Sequence, residues 1–256
     1  MARIFITGST KGIGAETARQ LIAAGHRVVL HARNDKRAAD AARDIPGSLG
    51  IVVGALDSLA STTQLAHHAS ELGSYDAVIH NAGIGGGIEA RTLTADGIER
   101  IFHVNVVAPY LLTALMPVPR RLVYLTSGLE ASGTWEPNDL QWKGRAWKGM
   151  KAYSDSKLHD LMLAFEIAAR HPESSVNAVD PGWIKTDMGG PEAPDPVKLG
   201  AETQVWLASS DDAAATASGR YVKRREVHKP NPVVNKASAR AALVAELERL
   251  TGVALP

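Results

Sequence analysis

Short apolar runs alternate with longer segments whose apolar residues recur at helical spacing. The runs at 3–7, 27–32, 49–54, 77–81 and 121–126 are rich in Ile, Val and Leu and carry few polar interruptions. That pattern predicts strands buried on both faces. The segments between them predict helices at about 15–24, 35–44, 58–72 and 98–115, with Gly25 placed to close the first. A longer helix at about 152–170 leads into a sixth strand at 175–179, and a last helix spans about 238–250. Strands alternating with helices in this way build a parallel sheet covered on both sides.

The rhythm predicts one doubly wound α/β domain of the Rossmann type, with about seven parallel strands and helices on both faces. No shift in composition divides the chain, so residues 1–256 form a single predicted domain. Two stretches fall outside the sheet. Residues 128–149, with Trp135, Trp142 and Trp147 among several glycines, predict an insertion ahead of the long helix. Residues 187–200, with Pro191, Pro194 and Pro196, predict a substrate-side loop. The stretch 229–232 is expected to be extended.

Composition narrows the chemistry. Hydrophobic residues make up 45%, enough for a large core, and 28 Lys and Arg nearly balance 27 Asp and Glu. No overall field recruits nucleic acid or an anionic membrane. The absence of cysteine excludes disulfides, thiolate zinc sites and a cysteine nucleophile. The start Met1-Ala2-Arg3 runs straight into a strand pattern, too short for a secretory signal, and no apolar stretch approaches a bilayer span. A cytoplasmic protein without a membrane span is expected. Nine histidines are scattered without metal-ligand spacing; His67 and His68 are adjacent and point to different sides of a helix, so no metal is expected. The run Lys223-Arg224-Arg225 reads as a solvated segment.

The loop Thr7-Gly8-Ser9-Thr10-Lys11-Gly12-Ile13-Gly14 follows the first strand and opens the first helix. Gly8 suits a tight turn, and Gly12 and Gly14 remove side chains where a pyrophosphate and a neighbouring strand approach. The helix N-terminus supplies N–H groups for phosphate. The second strand ends His31-Ala32-Arg33-Asn34. An acid at that place would favour NAD, whereas Arg33 suits the 2′-phosphate of NADP, with Lys11 as a second positive charge. Asp35 lies two residues further on. NADP(H) is therefore expected over NAD(H).

Tyr153 and Lys157 stand one helical turn apart on the long helix. A tyrosine is a poor base at neutral pH unless a nearby ammonium stabilises its phenolate, and the pair then handles a proton as alcohol and carbonyl interconvert. By itself this spacing is common on helix surfaces. In company with Thr7-Gly8-x-x-x-Gly12-x-Gly14, Asn81-Ala82-Gly83, Asn105, Thr126-Ser127 and Pro181-Gly182-Trp183-Ile184-x-Thr186, it resembles the short-chain dehydrogenase/reductase family along essentially the whole chain.

The resemblance implies an NADP(H)-dependent oxidoreductase acting on a small-molecule carbonyl or alcohol. It implies that Ser127 bonds the substrate oxygen and Tyr153 is the general acid or base. Lys157 serves Tyr153 and the nicotinamide ribose, while Asn105 bends its helix and orders a relay water. It places Gly8, Ser9, Lys11, Gly12, Ile13 and Gly14 among the cofactor-binding residues, and Leu56 and Asp57 at the adenine. Asn81, Ala82 and Gly83 line the cofactor. Pro181, Gly182 and Ile184 meet the nicotinamide, and Thr186 meets its carboxamide or the phosphates. Asp57 also reads as a helix cap, and Ser132 as an alternative to Ser127. The long gap between Ser127 and Tyr153 resembles the retinol-dehydrogenase-like and protochlorophyllide-reductase-like branch. Asp180 departs from the Asn or His common before the Pro-Gly pair. A cofactor-sensing regulator without turnover and a sugar-nucleotide epimerase are the rival readings, and a homo-oligomer is open.

Overall fold

The computed structural model describes residues 1–85 and 87–256. Eight strands form one sheet: β1 Arg3–Ile6, β2 Arg27–Ala32, β3 Gly50–Val53, β4 Ala77–His80, β5 Arg121–Leu125, β6 Ser175–Val179, β7 Arg220–Lys223 and β8 Glu226–His228. Their order is β3-β2-β1-β4-β5-β6-β7-β8. The first seven pair in parallel, and β8 adds a short antiparallel edge through a hairpin with β7.

Side-chain alternation divides the core. Phe5, Val29, Val78, Leu122, Tyr124, Val176 and Ala178 face one layer, where Leu65, Leu111, Leu161 and Leu243 meet them. These come from helices α3 Leu59–Glu71, α5 Ala108–Leu115, α6 Gly149–Arg170 and α9 Ala237–Thr251. Ile4, Ile6, Val28, Leu30, Ile79, Val123, Leu125 and Val179 face the other layer, against Ala18, Leu21, Ala41 and Leu207. Those belong to α1 Gly12–Ala23, α2 Asp35–Asp44 and α7 Val197–Ser209. Both faces are covered, which is why the strands read as continuous apolar runs. Two short helices, α4 Arg100–Phe102 and α8 Ala213–Thr216, complete the set. Among the described residues, no helix is long and apolar enough to cross a membrane.

The local signals behave as their chemistry requires. Asn34 caps α2 by accepting from the Arg37 N–H at 3.0 Å, and Gly25 follows α1 with φ +84°. Ser58, not Asp57, caps α3 by accepting from the Ser61 N–H. Two expectations need correction. The helix expected at 98–115 is broken: α4 gives way to a π-helical turn, His103–Val107, before α5 begins. Pro109 has no N–H for the Asn105 carbonyl that an α-helix would pair with it, and the wider turn absorbs the defect. The loop expected at 187–200 ends early, because Val197 already begins α7 behind Pro196.

Candidate active site

The strand order reverses between β1 and β4, and the loops after these strands meet there. Gly8 has φ +62°, and a Cβ on it would lie 2.9 Å from the Ala82 Cα. A Cβ on Gly14 would collide with the Asn81 side chain. The Asn81 amide donates to the Thr7 and Gly8 carbonyls at 2.9 and 3.2 Å, and the Thr7 hydroxyl accepts from the Asn81 and Ala82 N–H groups at 3.0 Å. The loops after β1 and β4 are thus one hydrogen-bonded unit.

A residue overlooked in the sequence supports this unit from below. Buried His31, on β2, accepts from the Gly8 N–H through Nδ1 at 2.9 Å, while Nε2 meets the Gly54 carbonyl at 2.8 Å. These partners require the neutral tautomer protonated on Nε2. Burial pushes His31 down to about 4, and its bond to Gly54 only partly opposes this. Ser9 ties in from the other side: its hydroxyl accepts from the His31 N–H and donates to the Ile6 carbonyl, both at 2.9 Å. Only its adjacency to the strand end marked His31 in the sequence.

The phosphate end fits a dinucleotide. The N-terminus of α1 has no side-chain cap and no acid in its first turn. Gly12 has φ +56°, and a Cβ there would point toward the Thr186 methyl at 3.4 Å, into the gap between the glycine loop and the loop after β6. Ile13 lies half-buried against the core behind it. Lys11 reaches across that gap to Asp187 at 3.6 Å, both exposed. Arg33 is exposed at the end of β2 and pairs with no carboxylate among the described residues. Leu56 is buried, and Asp57 pairs with Arg100 at 3.3 Å.

The chemical end is built by α6. Tyr153 is half-buried and Lys157 almost wholly buried. The Lys157 ammonium donates to the Leu125 carbonyl at 2.6 Å, and a Cβ on Gly83 would lie 3.5 Å from it. A Cβ on Gly85 would collide with the Tyr153 ring, so the β4 loop lies close against that ring. Asn105, in the π turn, uses its whole amide on scaffolding. Oδ1 accepts from the Ile84 N–H at 2.8 Å, and Nδ2 donates to the Ile84 carbonyl at 2.8 Å and the Ser156 hydroxyl at 2.9 Å. Ser127, half-buried at the end of β5, accepts weakly from the Leu129 N–H at 3.3 Å. Ser132 is turned to the Leu129 carbonyl and the Ser154 hydroxyl.

The segment after β6 lies between two aspartates. Asp180 is buried, accepts from the Gly182 N–H at 2.9 Å and pairs with Lys223 at 2.9 Å. Asp195 pairs with Arg224 at 3.0 Å, and a Cβ on Gly182 would lie 3.1 Å from its Oδ2. The basic run is exposed at Arg224 and Arg225, as expected of a solvated segment, and it also forms a hairpin turn whose Lys223 and Arg224 pair with Asp180 and Asp195. Ile184 is wedged under Gly189 and Gly200, and the Thr186 hydroxyl accepts from the Gly189 N–H at 3.1 Å. The insertion is buckled to the start of α6. Arg145 stacks 3.9 Å over Trp142 and bridges Asp139 and Asp155, and Lys151 reaches Asp155 at 2.7 Å. Trp135, Trp142 and Trp147 pack inward, while Trp183 is 57% exposed. Among the described residues no cluster of metal-ligating side chains occurs.

A phosphate loop and a Tyr–Lys pair across one sheet switch define a dinucleotide-dependent class of α/β enzyme. Comparison with known proteins gives the family. Residues 2–118 match the model of the short chain dehydrogenases. The chain is 38% identical over 259 residues to the short-chain dehydrogenase chyC of Penicillium rubens, covering 100% of both. A crystal structure from Mycobacterium paratuberculosis superposes with TM-score 0.87 at 28% identity, covering 100% of this chain and 95% of that one. A metagenomic blue fluorescent protein crystallised with NADPH shares the fold at TM-score 0.68 and 24% identity, over 86% of this chain and 95% of its own. The chain belongs to the short-chain dehydrogenase family, and it is an oxidoreductase of that family.

Proposed function

We propose that the protein interconverts a carbonyl and an alcohol with NADP(H), using Ser127, Tyr153 and Lys157 for the substrate oxygen and its proton. The carrying observation is the packing of the β4 loop on α6, with Gly85 close against the Tyr153 ring and Ile84 tied through Asn105 to Ser156, since the same loop is bonded to the glycine loop at Thr7 and Gly8. Phosphate site and proton-handling pair are thereby one rigid assembly. Bound NADPH supplies the hydride. The Ser127 and Tyr153 hydroxyls donate to the substrate oxygen, Tyr153 yields its proton to that oxygen, and the Lys157 ammonium stabilises the phenolate left behind. Asn105 holds the β4 loop against α6 through Ile84 and Ser156. Exposed Arg33, without a carboxylate partner among the described residues, supports NADP(H), as does the NADPH carried by the blue fluorescent protein of the same fold.

The buckled segment 128–149 supports a place beside the retinol-dehydrogenase-like branch, and near-balanced charge supports a small-molecule substrate over nucleic acid. The reading places the protein with its cofactor in the cytoplasm. Tyr153→Phe removes the proton donor while keeping the ring on Gly85. Carbonyl reduction is expected to fall by a factor of about 10²–10⁴ with NADPH affinity nearly unchanged. Reduction at the wild-type rate would overturn the reading.

A further inference from the structure

One turn beyond Lys157, α6 buries an aspartate that the proposed chemistry does not use. The Asp160 side chain is 2% exposed, its Oδ2 stands 3.6 Å from the Lys157 Nζ, and its Oδ1 has no hydrogen-bond partner among the described residues. An ionised carboxylate withdrawn from water and short of donors is among the least favourable groups a core can hold. Packing alone would be served by a leucine, as at neighbouring Leu161 and Leu163 on the same helix.

The surroundings of Asp160 contain one cation. Lys157 faces it from its own helix at ion-pair distance. On β5 the Tyr124 phenol is pushed up, first by burial and further by the charge of Asp160. Tyr124 meets the Thr113 hydroxyl on α5 at 2.6 Å, and Thr113 meets His80 on β4 at 3.1 Å. Burial pushes His80 down to about 3, so it is neutral. Among the described residues, Lys157 is the cation that balances the carboxylate.

We infer that Asp160 is a positioning residue of the active site, whose carboxylate holds the Lys157 ammonium against the Leu125 carbonyl and sets how much of its charge reaches Tyr153. The inference rests on the reading of Lys157 as the residue that serves Tyr153. With Asp160 ionised, the pair is neutral and the field at the Tyr153 oxygen is partly offset. With Asp160 protonated, the ammonium acts uncompensated. Burial pushes Asp160 up to about 7 while Lys157 pulls it back, so both forms are reached under ordinary conditions.

The test is a cycle of wild type, Lys157→Met, Asp160→Asn and the double variant, as full chains. Lys157→Met strands the carboxylate. It is expected to lower the thermal midpoint by at least about 4 °C more at pH 8.5 than at pH 5.5, an excess that Asp160→Asn removes. In NADPH-dependent reduction of 4-nitrobenzaldehyde, wild-type kcat is expected to change by at least about threefold in a step near pH 7, and Asp160→Asn is expected to lose the step. Asp160→Leu repeats both measurements should the asparagine variant not fold. A purely structural aspartate would scale the whole rate profile by a constant. Additive effects in the cycle, or profiles that superimpose after scaling, would overturn the inference. Failure of the wider reading looks different: Tyr153→Phe would be fully active while the cycle stayed coupled.

Discussion

Arg33 and Lys11 are both basic, yet the structure gives them different work. Lys11 is drawn to Asp187 across the phosphate gap, whereas Arg33 has no acidic partner among the described residues and stands at the end of β2. A planar guanidinium with unspent donors suits a phosphate better than a ribose hydroxyl. Arg33→Ala is therefore expected to weaken NADPH binding by about 10- to 100-fold and NADH binding by less than about threefold, read by titrating each cofactor. Equal losses would assign cofactor choice elsewhere. The same scale shows why His31 escaped notice in the sequence. A histidine on an apolar strand is usually a packed side chain. Only the parallel register of β1 and β2 sets its ring under the Gly8 N–H.

At the scale of elements, the β7–β8 hairpin is paired to the segment that follows β6. Its turn places Arg224 and Arg225 at φ 50° and 65°, left-handed values that glycine adopts more easily. The two ion pairs from this turn differ in kind. Lys223 meets a buried carboxylate, so Lys223→Met leaves Asp180 uncompensated and is expected to cost about 2–3 kcal/mol of stability in urea unfolding. Arg224 is 58% exposed, and surface pairs contribute roughly 1 kcal/mol or less. Arg224→Ala is expected to leave stability within about 1 kcal/mol while raising the KM for NADPH several-fold, because Asp195, whose backbone bonds Trp183 and Lys185, loses its ion pair. Matching losses of stability in the two variants would contradict this division. Basic residues in sequence do not announce their partners. Asp180 and Asp195 are brought to the turn only by the pairing of β6 with β7 and the fold-back of the loop after β6.

For the whole molecule, buried histidines set the response to acid. Burial lowers His31 to about 4, His80 to about 3 and His159 to about 4, all from an ordinary 6.5. A base whose folded value is depressed contributes stability above its unfolded value and loses it as pH falls toward the folded one. Asp160 has the opposite sign: its folded value is raised, so its contribution is present at low pH and lost as pH rises through about 7. Burial also lowers His26 and His103 and raises Glu99 and Glu130, and these shifts oppose one another in pairs. Between pH 4.5 and 6.5 the three histidines outweigh the one aspartate. Stability is expected to rise with pH there, by at most about 2.7 kcal/mol per unit for a net two protons. Urea midpoints across that interval read it directly, and a flat or falling profile would contradict it.

Periodicity determined the alternating strands and helices and the doubly wound class, and short motifs in order along the chain marked the glycine loop and the Tyr153–Lys157 pair. Each of these depends on neighbours in the chain, or on a two-faced burial that apolar runs record. The π turn at Asn105 was half-legible: Pro109 stood in view, but the bonds to Ile84 and Ser156 that make use of the break cross more than twenty residues of chain. The work of His31, the latch of Lys223 and Arg224, and the burial of Asp160 were settled by tertiary structure, whereas the one-turn spacing of Asp160 from Lys157 is local to α6. A polar side chain takes its charge state and its partner from the groups around it. For these residues, those groups are set by strand register and helix packing.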